Sequence, residues 1–444
     1  MPGLGINEMG EMIRKIRKEK GLRLEDLADE HISTATISNI ERGIPYVHQE
    51  RAFYLLKKLE IDMERLPELV MGEQQKTDDL RRYFAMVETI RQTGDIDEAL
   101  RRLNQLSMAD SHPMTPTLYY LKGRCFFSDN DWDQAKQSLY RAIQLAGQHS
   151  PQTVCNIASA SYVELGCISY YENNLNEALK YTDQGLNTFV PDGERPHLWF
   201  IIHRNKAVYL ERLGRIGESL AIIEQMWTKL SDIDDMESLL TCYWLRSELL
   251  RKHKVYDLAT QYAMEGLDLA QRNKQYDYMF DLWTVLGSVF MSKREIDRAQ
   301  SCFDTALKLK EKLTDRTSIT TIYLRLGSLY LSQQQFLKAS EVLQRATQSA
   351  QDCNDIPRLC TAFMLNGDQY RLQDRFDEAI PFYQKTLALA GKHGYRKREY
   401  WASYRLAQCY DGRDEQAFQK SLQTMYYTQL EWKKEKGEEM SMLL

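Results

Sequence analysis

The sequence predicts an all-α protein in which a compact five-helix N-terminal unit precedes a right-handed superhelix of about nine helix pairs. Two observations predict it. A small residue recurs at steps near forty positions, as Ala99, Ala135, Ala178, Ser219, Ala259, Ala299, Ala339, Ala379 and Ala417. Several copies also carry a glycine twelve positions upstream, as Gly123, Gly166, Gly287, Gly327 and Gly367. Self-similarity at this period marks a helical solenoid, because one helix pair cannot bury its apolar face without a neighbour. The first seventy residues, by contrast, break the period and carry short amphipathic stretches stopped by glycines.

Within those seventy residues, 8–20 place Met9, Met12, Ile13 and Ile16 on one helical face, and Gly21 stops the helix. Residues 24–30 make a short second helix with Leu24, Leu27 and Ala28 inward. Ser33 is placed as the N-cap of a third helix that ends at Gly43. Its Ile37 and Ile40 face one way, leaving Thr34, Ala35, Thr36, Ser38 and Asn39 on the other. Helices over 48–59 and 62–70 complete the unit. A short helix, a turn and a second helix with small polar residues outward is a helix-turn-helix, whose second helix enters the DNA major groove.

Residues 118–147 show how a repeat is built. The first helix carries Gly123 and Phe126, a polar turn follows at 128–131, and the second helix carries Ala135, Leu139 and Ala142. Small residues let two antiparallel helices approach, while the large apolar ones fill the gap to the next pair. The skeleton returns as Gly287–Phe290–Ala299–Phe303–Ala306, as Gly327–Tyr330–Ala339–Leu343–Ala346, and as Gly367–Tyr370–Ala379–Tyr383. On these positions the segments resemble tetratricopeptide repeats, with forty-residue spacing in place of the usual shorter period. The copies near 87–99 and 407–417 are weak, as terminal capping units are. The first helix of each pair then lines a concave wall, where Tyr120, Arg124, Arg204, Trp244, Glu248, Arg251, Asp368 and Arg371 are candidate peptide contacts, with Asn205 and Asn366 beside them. Aromatics give area at low entropic cost, Arg clamps carboxylates, and an Asn amide pairs with an extended backbone.

Composition limits the function classes. The chain has 444 residues, 43% hydrophobic and 27% charged, with a formal net charge of −5. That balance argues against blanket nucleic-acid affinity while leaving one small face open to it. No apolar run is long enough for a membrane span, and the first twenty residues lack a secretory pattern. The eight cysteines show no CxxC pairing, which reads as buried thiols in a reducing compartment. With no HExxH, P-loop or GxGxxG, the sequence offers no catalytic constellation, no metal site and no cofactor site, and a cytoplasmic, non-enzymatic protein is expected.

The string running from Ile13 through Leu24 to ISNIERG at 37–43 closely resembles the XRE/Cro-type repressor domain. The resemblance implies that Thr34, Thr36, Ser38 and Asn39 face base edges and that Arg42 and Arg51 reach phosphates. Glu41 matches a structural acid expected to pair with Arg17. Two departures stand out: Leu24 replaces the usual Gln, and residues 1–70 hold 11 Lys and Arg against 13 Asp and Glu. So weakly basic a head needs a second copy, which implies a homodimer or higher oligomer on an inverted-repeat operator, with half-sites about 34 Å or a multiple apart.

Taken together, the domain order is similar to the RRNPP class of peptide-pheromone receptors of Gram-positive bacteria. That implies a quorum-sensing transcription factor with a DNA-binding head (1–70), a linker (71–80), a repeat domain for peptide binding and dimerisation (81–436) and a frayed tail (437–444). A short signalling peptide bound in the groove would alter superhelix pitch or subunit packing, and with it the setting of the heads on duplex DNA. Some members of the class also bind a response-regulator protein and promote loss of its phosphate; Glu88, Gln92 and Asp95 are conceivable residues for that. A repeat scaffold answering to a partner protein is the remaining alternative.

Overall fold

The computed structural model describes residues 6–42, 49–61, 66–148, 155–314 and 317–435, and every regular element among them is helical. The chain packs as two compact units, residues 1–164 with 188–196, and residues 165–187 with 197–444. The expected tail at 437–444 lies outside the described residues.

The first unit opens with α1 (Ile6–Glu19), α2 (Leu24–Leu27), α3 (Thr34–Glu41) and α4 (Gln49–Lys58). Met9, Met12, Ile13, Leu27, Ile37 and Ile40 form its core together with Ile32, Ala52, Leu55, Leu56 and Leu59. Burial of these side chains, worth about 1.5–3 kcal/mol each, drives the short helices together. Ser33 caps α3 by accepting from the Thr36 N–H at 3.2 Å. Two expectations change here. The second helix is a single turn, ending at Leu27 instead of residue 30, because Asp29 leaves it to accept from the backbone N–H groups of His31 and Ile32. The fifth helix does not end at 70: α5 runs from Leu66 to Gln92, so residues 71–80 are the middle of one helix. Nothing in 71–80 breaks it, since its one glycine, Gly72, costs only about 1 kcal/mol relative to alanine.

Helix α5 pairs with α6 (Ile96–Gln105), and α7 (Thr115–Ser128) with α8 (Trp132–Ala146). Then follow α9 (Ile157–Tyr171), α10 (Leu175–Thr188), α11 (Leu198–Leu213), α12 (Ile216–Trp227), α13 (Met236–Lys252), α14 (Tyr256–Arg272), α15 (Tyr276–Ser292), α16 (Ile296–Leu307), α17 (Thr317–Ser332), α18 (Phe336–Asp352), α19 (Ile356–Arg371), α20 (Phe376–His393), α21 (Arg396–Tyr410) and α22 (Glu415–Glu435). The nine expected pairs are present. The recurring small residues are wholly buried from Ala99 to Ala379, whereas Ala417 in the last pair is half-exposed. Ser219, the one hydroxyl among them, donates to the Ala207 carbonyl at 2.7 Å and so leaves no unmet donor.

The upstream glycines have a direct steric reason. A Cβ at Gly287 would lie 2.5 Å from the Phe303 ring, one at Gly327 2.4 Å from Leu343, and one at Gly367 2.5 Å from the Tyr383 ring. The helix backbones thus approach closely enough to seat a large side chain against bare Cα.

The forty-residue step is two steps of twenty. After most of these helices a single residue takes a positive φ, at Gly214, Lys254, Lys274, Arg294, Gln334, Asn354, Asp374 and Gly394, while after α12 and α16 short 3-10 turns (Leu230–Asp232 and Lys310–Lys312) follow instead. The next residue's N–H then reaches back five positions, as from Val255 to the Leu250 carbonyl at 2.9 Å and from Gln275 to Ala270 at 2.9 Å. This left-handed cap uses up helix-end carbonyls and turns the chain at a constant length, even where the residue is not glycine.

Candidate functional site

On the head, α3 presents a stripe outward. Ala35 and Arg42 are exposed, while Thr34, Thr36, Ser38 and Asn39 are half-buried at its flanks. Arg42 donates to the Ser38 hydroxyl from Nη2 at 2.8 Å, and Thr36 shares a 2.9 Å hydroxyl contact with Ser33. The side chains of Thr34 and Asn39 are not engaged in this way. Arg51 stands exposed on α4. Behind the stripe, Arg17 clamps Glu41 with two bonds, Nε at 2.5 Å and Nη2 at 2.9 Å, and spends Nη1 on the Leu22 carbonyl at 2.7 Å. This is the pairing expected for Glu41. It ties α1 to the end of α3 and keeps the acid off the outward face.

The ten residues read as peptide contacts fall in both units. Tyr120 and Arg124, on α7, belong to the first. Arg124 meets Glu88 at 2.6 Å and Glu164 at 3.1 Å, and Glu88 also accepts from Arg91 at 2.7 Å. Burial pushes the Glu164 carboxyl above its ordinary value in spite of Arg124, and burial likewise raises the Tyr120 phenol.

The other eight lie in the second unit. Arg204 reaches Glu237 at 2.8 Å across the α11–α13 step, and its Nε donates to Asn205 at 3.2 Å. Asn205 is buried and points its amide at the Cys167 sulfur, 3.6 Å away. Trp244 packs partly buried between α11 and α15 residues. Asn366 turns aside from the inner face: its amide donates to the Ala362 carbonyl and to Thr347 of α18. Asp368 accepts from the Tyr383 hydroxyl at 2.9 Å and meets Arg405 at 3.0 Å and Arg371 at 3.3 Å.

Glu248 and Arg251 sit in a larger network that the sequence reading did not contain. Glu248 accepts from Arg251 at 2.7 Å and from Arg325 of α17 at 3.0 Å, with Lys252 at 3.5 Å. Lys252 in turn holds Glu211, Arg212 reaches Asp355 at 3.2 Å, and Arg358 closes on the same carboxylate. Burial opposes ionisation of Glu248, yet Arg325, Arg251 and Lys252 hold it well below the usual carboxylate range. Asp355 is likewise held low by Arg358 and Arg212 against its burial. Arg398 joins from α21, donating to the Arg212 carbonyl at 3.3 Å. Residues four to ten helices apart in sequence therefore meet, Glu248 of α13 with Arg325 of α17 and Arg212 of α11 with Arg398 of α21. They are held there by an apolar cluster of Tyr209, Leu210, Cys360, Ala390 and Tyr395, and by a buried 2.8 Å bond from the Tyr395 hydroxyl to the Asn173 carbonyl. No forty-residue periodicity could reveal these contacts, since they join helices many repeats apart.

Comparisons with known proteins add to this geometry. A helix-turn-helix family model matches residues 13–66, and tetratricopeptide-repeat models match residues 88–150, 280–313 and 320–353. The chain thus carries a helix-turn-helix segment and tetratricopeptide-repeat segments. No curated protein matches the chain in sequence. Among solved structures, it is similar to a Rap protein complexed with competence and sporulation factor, at 10% identity over 80% of this chain and 98% of that one, with a TM-score of 0.58. It is also similar to the apo quorum sensor NprR from B. thuringiensis (16% identity, 77% of this chain, 96% of that one, TM-score 0.53). A third neighbour is the Rap conjugation regulator of plasmid pLS20 with its Phr* peptide (12%, 79% and 93%, TM-score 0.51). At such identities the likeness is one of fold, and it agrees with the all-α repeat array read from the sequence. Among the described residues, no helix is long and apolar enough to cross a membrane.

Proposed function

We propose that this protein is a cytoplasmic, peptide-switched transcriptional regulator. The observation that carries the reading is the joining, in one chain, of an outward polar helix-turn-helix face with a repeat array whose inner helices present Arg, carboxylate and aromatic groups. Thr34, Thr36, Ser38 and Asn39 read base edges, with Asn39 suited to pair bidentately with adenine, while Arg42 and Arg51 hold phosphates. The peptide contacts the first helices of the pairs, with Arg204 and Trp244 at the centre of the surface and Asn205 buried behind them, accepting from Arg204. A homodimer supplies the second head for an inverted repeat.

A mobility-shift assay with DNA upstream of the protein's own gene tests this. Asn39→Ala is expected to weaken the specific complex about tenfold or more, the worth of one bidentate base contact. Arg204→Ala, Trp244→Ala and Asn205→Ala should keep DNA affinity but lose the response to a peptide encoded beside that gene. A wild-type protein that grips no DNA selectively, with or without peptide, would leave the scaffold reading standing.

The Rap-like fold favours a second reading, in which the repeats bind a response regulator and promote loss of its phosphate. The residues conceivable for that step are occupied: Glu88 is bound by Arg91 and Arg124, Gln92 donates to Glu88, and Asp95 caps α6 through the Glu98 N–H. The regulator reading is therefore preferred.

A further inference from the structure

The network in the second unit is unbalanced. Its carboxylates are Glu211, Glu248 and Asp355, and its cations are Arg212, Arg251, Lys252, Arg325, Arg358 and Arg398, a surplus of three positive charges. The surplus is concentrated at two guanidiniums. Among the described residues Arg325 reaches only Glu248, at 3.0 Å, on the oxygen that Arg251 already uses. Arg398 has no carboxylate partner among the described residues; it has the Arg212 carbonyl at 3.3 Å and the face of Tyr395 at 5.4 Å.

Uncompensated charge inside a protein is costly, and natural sites offset it with a partner or a bound ion. Neither group is sealed off: the Arg325 side chain keeps 29% of its surface accessible although helices surround it, and Arg398 is half-buried. Burial lowers both guanidiniums from their ordinary value, the mark of cations short of counter-charge.

We propose that the repeat groove selects an acidic peptide, and that Arg325 and Arg398 each offer a guanidinium to a carboxylate of it, supplied by an Asp or Glu side chain or by the peptide's C-terminus. A guanidinium fork matches a carboxylate in geometry as well as sign, which favours Arg in this role over a diffuse basic patch. This inference rests on the peptide-binding reading above and adds the charge class of the peptide.

Full-length protein incubated with a pool of random heptapeptides, half as free acids and half as C-terminal amides, tests it, with retained peptides sequenced by mass spectrometry. Retained species should be enriched about tenfold in carboxylate-bearing sequences. Depletion of amides points to the C-terminus as the source, and enrichment of Asp or Glu in both halves points to a side chain. Arg398→Gln and Arg325→Gln should abolish the enrichment while Arg398→Lys keeps part of it. The wild-type selection alone decides the class, so a variant that fails to fold does not spoil the test. Retention of neutral or basic peptides overturns the acidic class and leaves peptide binding intact, whereas retention of none overturns peptide binding itself.

Discussion

Gly10→Ala is expected to destabilise the helix-turn-helix head by about 3 kcal/mol, at a position where helix propensity alone predicts the opposite sign. Alanine in place of an interior helical glycine ordinarily stabilises by about 1 kcal/mol. Here a Cβ on Gly10 would stand 2.1 Å from the Ile40 carbonyl oxygen, a backbone atom that cannot rotate away. To relieve the overlap α1 must move off α3, opening the core around Ile13, Ile37 and Ile40, all fully buried, and straining the Arg17–Glu41 clamp. Overpacking of this kind costs about 1–3 kcal/mol or more. Gly72→Ala is the matched control, since nothing lies within 4 Å of its Cβ, and it should stabilise by about 1 kcal/mol. Hydrogen exchange read over residues 6–61 separates the two: protection should collapse in Gly10→Ala and be kept or raised in Gly72→Ala. Unchanged protection in Gly10→Ala would mean that the two backbones are not in contact.

The contrast between these glycines shows where sequence reasoning reaches and where it stops. The periodic glycines were legible because each recurs at a fixed offset from a buried alanine, and their Cβ clashes with Phe303, Leu343 and Tyr383 give the reason. Gly10 occurs once, in a head without repeats, so no pattern singled it out. The Ser33 cap and the Glu41–Arg17 pair were legible as local or motif-borne features. The true unit of twenty residues was not, because its marker is a backbone conformation borne by Lys254, Lys274, Arg294 and Gln334, which share no side-chain chemistry. A faint signal does exist: two positions after each comes an apolar or aromatic residue, Tyr256, Tyr276, Ile296 and Phe336, opening the next helix. Of the network, Glu248 and Arg251 were singled out from the sequence as candidate contacts by their place in the repeat. Their partners Arg325, Asp355, Arg358 and Arg398 were not, because charge pairing across several repeats depends on how the array curves and not on any single repeat.

That network sets the second large effect. Glu248→Gln keeps the side-chain shape and removes the one charge that Arg251, Lys252 and Arg325 share. Breaking a buried ion pair from one side costs about 3–5 kcal/mol, since Arg251 and Arg325 stay behind without their carboxylate while Lys252 keeps Glu211. The pH dependence separates this cause from lost packing. The Glu248 carboxyl is depressed in the folded state, so its contribution is complete above the unfolded value of about 4.3 and is lost as pH falls below that toward the folded value. Urea denaturation followed at pH 7 and again near pH 3 should therefore show a gap between wild type and variant of about 3–5 kcal/mol that shrinks by about 1–2 kcal/mol at the lower pH, about 1.4 kcal/mol for each unit below 4.3. A gap of equal size at both values would assign the loss to packing and remove the ionic account of this groove. A bound acidic peptide should also stabilise wild type more than it stabilises Arg398→Gln, because the variant has lost one of the two surplus guanidiniums that the peptide would neutralise.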